Sequence, residues 1–573
     1  MQKFLFSVVL AAILAGGGCA SVPQGDATRA QVPAPTAASE TANLPRIELT
    51  GDLLYVLLKA DFLLSRGHYD LAAEEFLALA RETQDPRLAE EAARVAIYAR
   101  DNGRALAAAR LWLAAAPQSV EAQQVMVVAL IRNGKADEAL QHLEDLLSHP
   151  AASANSFRLI ASLLSRQQDL QTALSVLGQL IKTRGDNPDA LFAYGHLALR
   201  AGAPDAALEA IDRALALRPM WPDAVNLRVR ILQMEGKGEE ALAYLAKMVN
   251  KNSKSTDLRL MYAQMLMENK RYSEAIPQYE QLAKALPDNP DILFTLGLIH
   301  LQMGNLDDAQ RYFERVAAIG GRNDQVQFYL GWLEEARNNI VAAIRHYGLV
   351  SNGENYLEAR LRMAVLTAQQ GDVESARDQL RALRTQRIGY APRTFLVEGE
   401  ILRTAGRLDE AMAVYTDGLA IAPEDRDLLY ARALLADTMG RIDAAERDLR
   451  HILARDPDDV DALNALGYML ADRTQRFDEA YEYVKRALAF SPDNNAILDS
   501  MGWVLYRQGR YAESIQYLRR SLEVKQDYEV AAHLGEVLWV SGEREQARDV
   551  WEQALKRFPG EKTLIDVINR FNK

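Results

Sequence analysis

One cysteine, Cys19, stands among 573 residues, so no internal disulfide and no cysteine-built metal cluster can form. The eight histidines, His68, His142, His149, His196, His300, His346, His451 and His533, are scattered without metal-ligand spacing. His142 and His149 share a helical face, but no acidic partner completes an HExxH-type pattern. A phosphate loop, a dinucleotide fingerprint and a nucleophile elbow are all missing. Neither a catalytic site nor a cofactor or metal is therefore expected. Positive charge is in the minority, 66 lysines and arginines against 78 aspartates and glutamates for a formal net charge of −12. That balance disfavours nucleic acid, whose binding rests on neutralising phosphates. Arg158, Arg166, Arg200 and Arg230 form a local basic exception, either a salt-bridged face or a contact for an acidic peptide. The apolar run from Phe4 to Leu14 is too short to cross a bilayer core of about 30 Å.

What is present is a recurrence: Leu296-Gly297, Leu330-Gly331, Leu466-Gly467, Met501-Gly502 and Leu534-Gly535. A period near 34 residues predicts tandem helical hairpins. The same slot runs back through Gly195, Ala161 and Val127, is filled between by Val229, Ala263, Ala364, Gly399 and Ala433, and has looser copies at Ala60 and Ala96. Twelve residues after an anchor stands alanine, as at Ala309, Ala343, Ala376, Ala411 and Ala445, where two helix backbones must approach. Four residues further comes a bulky group, as at Tyr279, Phe313, Tyr347, Tyr415 and Trp551, on the same helical face. Proline then closes many second helices, as at Pro287, Pro423, Pro457 and Pro492, because it cannot donate the next backbone hydrogen bond. Aspartates such as Asp223, Asp291, Asp427 and Asp461 suit the positive end of the first helix.

This pattern, fullest from Asp461 to Pro492, resembles the tetratricopeptide repeat (TPR) family over most of the chain. It departs from the family where the first-helix tryptophan is usual, since Leu293, Leu463 and Leu498 hold that slot. The implied fold is an all-α superhelical solenoid of about 11 to 15 repeats. Such a stack lines a concave surface with its first helices.

The ends follow a different logic. Lys3, the apolar run and Ala15-Gly16-Gly17-Gly18-Cys19 predict a signal peptide over 1–18. The small residues before Cys19 resemble a bacterial lipobox, with Gly16 where leucine is usual. The resemblance implies that Cys19 becomes the first mature residue and carries acyl chains, worth about 0.8 kcal/mol per buried methylene. Ala20, where aspartate would resemble an inner-membrane retention signal, points to the outer membrane, facing the periplasm. Residues 19–46, rich in Ala, Thr, Ser, Gln and Pro, read as a flexible tether. Irregular helical repeats are expected over 47–118, the regular solenoid over 119–560 and a capping helix over 561–573.

Two surfaces are candidates for partner binding. The first is the apolar N-terminal stretch, with Leu53, Leu54, Leu57 and Leu64, which either tucks into the following repeats or forms a docking edge. The second is the concave face, carried by positions six and three before each anchor and one and four after it. It places Phe294, Leu298, Phe328 and Trp332 in the middle repeats, and Tyr468, Trp503, Tyr506 and Trp539 near the end. These rings either anchor a partner or pack against neighbouring repeats. Asparagine follows no anchor directly, unlike the carboxylate-clamp members that hold a peptide terminus.

The combination of lipobox, tether and full-length solenoid resembles bacterial lipoprotein adaptors of carboxy-terminal processing proteases. What the resemblance implies is a non-enzymatic adaptor, held to the membrane through lipid on Cys19. It would bind such a protease and deliver substrates, especially peptidoglycan hydrolases. A scaffold for pilus, secretion or exopolysaccharide assembly is the alternative, and an enzyme with an unrecognised site is a third.

Overall fold

The computed structural model describes residues 44–45, 47–148 and 170–571. Among them are thirty α-helices, one 3-10 turn at Ile388–Tyr390 and no strand. The chain divides into two compact units, one reaching to Ala309 and one from Gln310 onward. Each is a series of helical hairpins stacked in chain order. The expected signal peptide, Cys19, most of the tether, His149, Ala161, Arg158 and Arg166 lie outside the described residues.

Helix starts are set by side chains that accept from otherwise unpaired backbone amides. Asn187, Asn289 and Asn494 cap three first helices in this way, Ser119 and Ser255 two more, and Asp425 and Asp459 another two. Asp223, Asp291, Asp427 and Asp461 stand inside the first turn and act through charge. Except after Val460–Arg473, where Thr474 is extended, the turn out of a described first helix holds a left-handed residue seven positions after the anchor. Gly304, Gly406, Gly440 and Gly509 supply it, with φ of 77°, 75°, 70° and 78°. In the second repeat Arg100 takes that role at φ 61°. Counting back from Arg100 sets the anchor at Ala93; the looser copy expected at Ala96 is thereby corrected.

The anchor glycines answer to packing. A Cβ added to Gly399 would lie 2.1 Å from the Tyr415 ring, and one on Gly535 would lie 2.0 Å from Trp551. The rings of Tyr347, Tyr415 and Trp551 are each seated against the bare backbone of the glycine sixteen residues before, and all three are fully buried. Burying one such side chain is worth roughly 1.5–3 kcal/mol. Ala309, Ala343, Ala376, Ala411 and Ala445 are completely buried at the crossing. Ser514 replaces alanine once and satisfies its hydroxyl by donating to the Gly502 carbonyl at 2.7 Å.

The last repeat is closed by the helix Lys562–Phe571, which buries Leu564 and sets Phe571 against Trp539 and Trp551 with ring centroids 6.1 and 6.0 Å away. Polar joints also link hairpins. Glu398 is buried beside Arg377, whose Nε donates to it at 2.9 Å, and Arg384, which is ion-paired to it and stacked 3.9 Å from the Phe395 ring centroid. Arg377 also reaches Glu410 of the following second helix at 3.0 Å.

Candidate protein-binding surfaces

The opening helix, Gly51–Ser65, starts at Thr50, whose hydroxyl accepts from the Leu53 amide at 3.2 Å. Its four expected contact residues divide. Leu53 is buried and Leu64 half-buried in a core shared with the helix Tyr69–Thr83, while Leu54 and Leu57 are exposed. Tyr55, Leu58 and Phe62 are more exposed still, at 66%, 60% and 58%. These three are spaced by three and four residues, so they form one apolar stripe along the helix. At this end the structure thus leaves open one face of a helix that is apolar almost all round.

In the middle repeats the apolar strip is largely spent on packing. Phe294, Leu298 and Phe328 are buried. The Phe328 ring meets Tyr329 edge-on at 5.4 Å and Tyr347 at 5.8 Å. Trp332, one turn beyond Phe328, is only half-buried, as are Val365 and Leu396 of the next two first helices.

Toward the C terminus the concave face is aromatic and acidic. His533 lies with Nδ1 2.9 Å from Asp499 and its ring stacked 4.2 Å from that of Trp503. Trp503 donates from Nε1 to Asp472 at 3.2 Å. Tyr506 donates to Glu536 at 3.1 Å, and Glu536 is ion-paired with Arg570 of the closing helix. Burial works against a charged imidazole, but Asp499, Glu536 and Glu529 outweigh it and hold the His533 pKa above its ordinary value. Burial and Glu536 push the Tyr506 phenol up to about 12. Tyr468 is raised as well, by burial first and then by Asp472, Asp499 and Glu529. Asn464, one turn before Tyr468, keeps its side-chain carbonyl buried without a hydrogen-bond partner among the described residues. Trp539 stacks on Trp551 at 5.8 Å and carries Arg544 and Arg548 within 5.4 Å of its centroid. Of the four expected rings, Tyr468 and Trp503 thus face His533, Tyr506 lies against Trp503 with ring centroids 5.1 Å apart, and Trp539 belongs to the closing core.

Elsewhere, Arg200 and Arg230 flank His196, whose pKa is lowered by burial and then by those two charges. A cleft of about 620 Å³ opens between the turns at Gln475–Glu479 and Arg507–Arg510. Its arginines are already engaged: Arg476 with Glu446 and Glu479, Arg510 with Glu513, and Arg507 with the Asp472 carbonyl. Among the described residues no three His, Cys, Asp or Glu side chains are grouped to hold a metal, and no helix is long and apolar enough to cross a membrane.

Family models described as tetratricopeptide repeat match residues 164–231, 232–277, 266–328, 361–426, 430–495, 496–527 and 529–553. The chain is also 34% identical over 543 residues to the TPR repeat-containing protein PA4667 of Pseudomonas aeruginosa, covering 94% of this chain and 90% of that one. It belongs to the tetratricopeptide repeat family. A more distant TPR relative is YpiA of Bacillus subtilis, 21% identical over 54% of this chain and 65% of its own. Among solved structures, a TPR protein of Parabacteroides merdae covers 44% of this chain and all of its own at 14% identity and TM-score 0.36. The APC/C Cut9-Hcn1 hetero-tetramer matches 91% of this chain and 97% of its own at 16% identity and TM-score 0.34. As a TPR protein the chain has a fold suited to protein–protein interaction.

Sequence reasoning missed two features of these TPR surfaces. Tyr55, Leu58 and Phe62 belong to the opening run that reads as apolar nearly all round, but the contact residues expected from it are Leu53, Leu54, Leu57 and Leu64, not the more exposed stripe those three form. His533 is likewise counted only among histidines scattered without metal-ligand spacing, although Asp499 stands 34 residues earlier.

Proposed function

We propose that this TPR protein is a non-enzymatic lipoprotein adaptor, anchored through Cys19 in the outer membrane and facing the periplasm. It binds a carboxy-terminal processing protease and delivers substrates such as peptidoglycan hydrolases for degradation. One model for this role is LbcA, adaptor of the protease CtpA, which the chain resembles in its lipobox-like start, tether and long acidic solenoid. The observation that carries the reading is the apolar stripe of Tyr55, Leu58 and Phe62, exposed to solvent a short way after the lipobox-like segment. A stripe of this kind marks a protein contact more often than a bare surface. In this reading the stripe docks the protease, and the concave faces with Trp332 and Tyr468 hold the substrate.

Reconstitution tests it. Purified protein, a processing protease and a candidate hydrolase are mixed and substrate loss is followed. An adaptor accelerates loss in the presence of the protease and cuts nothing alone; an unchanged protease rate removes the reading.

A further inference from the structure

The first helices of this chain bury two positions with great regularity: five residues before the anchor and two after it. Around Ala433 these are Leu428 and Leu435, around Gly467 Ala462 and Met469, and around Gly502 Ile497 and Val504, all nearly or fully buried. Both positions are buried in every repeat from the third onward among the described residues. Each such first helix packs against the second helix of the preceding repeat. Leu408–Ile421 packs on Arg426–Thr438, Ile442–Arg455 on Val460–Arg473, and Phe477–Phe490 on Asn495–Arg507. Relative to Ala60, the same two positions in the opening helix are Tyr55 and Phe62, exposed at 66% and 58%.

The opening helix is therefore built as an interior repeat face. We propose that an amphipathic helix of the docked partner completes it, lying where the second helix of a preceding repeat would lie. This rests on the reading that this end of the chain docks the protease. Consecutive helices joined by short turns run antiparallel, so the occupant runs antiparallel to Gly51–Ser65. It must offer apolar residues at spacings of three and four, as Ala445, Leu449 and Ile452 do within the chain. Asp52 and Asp61 are exposed at the rim, whereas Lys59 is held by Glu75 at 2.5 Å and Arg66 lies over the Phe62 ring, 5.2 Å from its centroid. The occupant's stripe is accordingly flanked by Lys or Arg. A second copy fits less well. Antiparallel pairing of two opening helices about Leu58 sets Asp61 opposite Tyr55 and puts a carboxylate into the seam.

The test uses the mature full-length chain with a photo-reactive phenylalanine analogue at Tyr55 or Phe62, and the processing protease as probe. Both crosslinks should fall on one protease helix, about two turns apart, with the Tyr55 crosslink nearer that helix's C-terminal end. Crosslinks to a protease strand or loop, to a second copy, or to this chain's own residues overturn the proposal. Tyr55→Asp and Phe62→Asp, both at exposed positions, should each weaken protease binding at least about tenfold with unchanged circular dichroism. Binding insensitive to both defeats the helix assignment and leaves the adaptor reading standing. If the protease does not bind at all, the adaptor reading fails. The helix assignment is then decided by a stapled peptide copying residues 442–455, which must bind the wild-type chain and lose at least about tenfold affinity on Phe62→Asp. A peptide that does not bind, or binds both forms equally, overturns it.

Discussion

His533 and Asp499 meet at 2.9 Å across the first helices of the last two TPR hairpins, Asn495–Arg507 and Tyr528–Ser541. Trp503 and Tyr468 face the same imidazole, and Glu529 and Glu536 share its helix, with Arg570 beyond. The histidine's folded pKa is raised. Its contribution to stability is then fully present below the unfolded value of about 6.5 and is lost as pH rises through the folded one. His533→Gln should remove that part of the pH dependence, and the gap in melting temperature between wild type and variant should narrow as pH rises above 6.5. A gap that is constant with pH would mean the pair does not titrate in this way. Taking the difference cancels His196 and His346, whose pKa values are lowered and whose dependence has the opposite sign.

Gly399→Ala should destabilise the protein by about 1–3 kcal/mol, because the new Cβ would lie 2.1 Å from the Tyr415 ring. Adding Tyr415→Leu should recover part of the loss, which a double-mutant cycle in urea measures. Gly406→Ala, with open space around it but φ at 75°, should cost about 1–2 kcal/mol that no change at Tyr415 restores.

Glu398→Ala leaves Arg384 and Arg377 without the carboxylate they share. Burial lowers the pKa of Arg384 despite that partner, which shows how poorly solvated the guanidinium is. Breaking a buried pair from one side costs about 3–5 kcal/mol, and denaturant midpoints should shift accordingly.

Phe328→Ala and Trp332→Ala should separate stability from binding. The buried Phe328 ring should cost about 3–5 kcal/mol on removal. Trp332, half-buried, should cost much less and, in the proposed function, should impair substrate capture measured by pull-down with a hydrolase. Capture unchanged by Trp332→Ala would take that part of the concave face out of the binding surface.

Cys19→Ser should abolish membrane association, read by fractionation, if lipid is the anchor. Retention by the variant would place the attachment elsewhere.

The fold was legible because each repeat must solve the same internal contact. Leu-Gly anchors, crossing alanines and rings at fixed offsets are forced by backbone approach, so they recur and can be counted. The binding surfaces were less legible for a related reason. Period places a residue on a face of its own hairpin but does not say whether a neighbour covers that face. Phe328 and Phe62 are both phenylalanines on first helices; one is buried by its neighbours and the other is in solvent. The His533–Asp499 pair was hidden because the two stand at different offsets from their anchors, two residues before Gly535 and three before Gly502. Only the packed helices bring them opposite one another.

The seating of each ring on its own anchor glycine also bears on how such a chain can lengthen. Gly399 and Tyr415, or Gly535 and Trp551, lie within one hairpin. A duplicated segment of one period therefore carries both halves of the fit with it. Drift at either half is checked inside the copy, with no need for a matching change in another copy. Contacts between hairpins, by contrast, are renegotiated at every new junction, and that is where neighbouring copies are free to become different from one another.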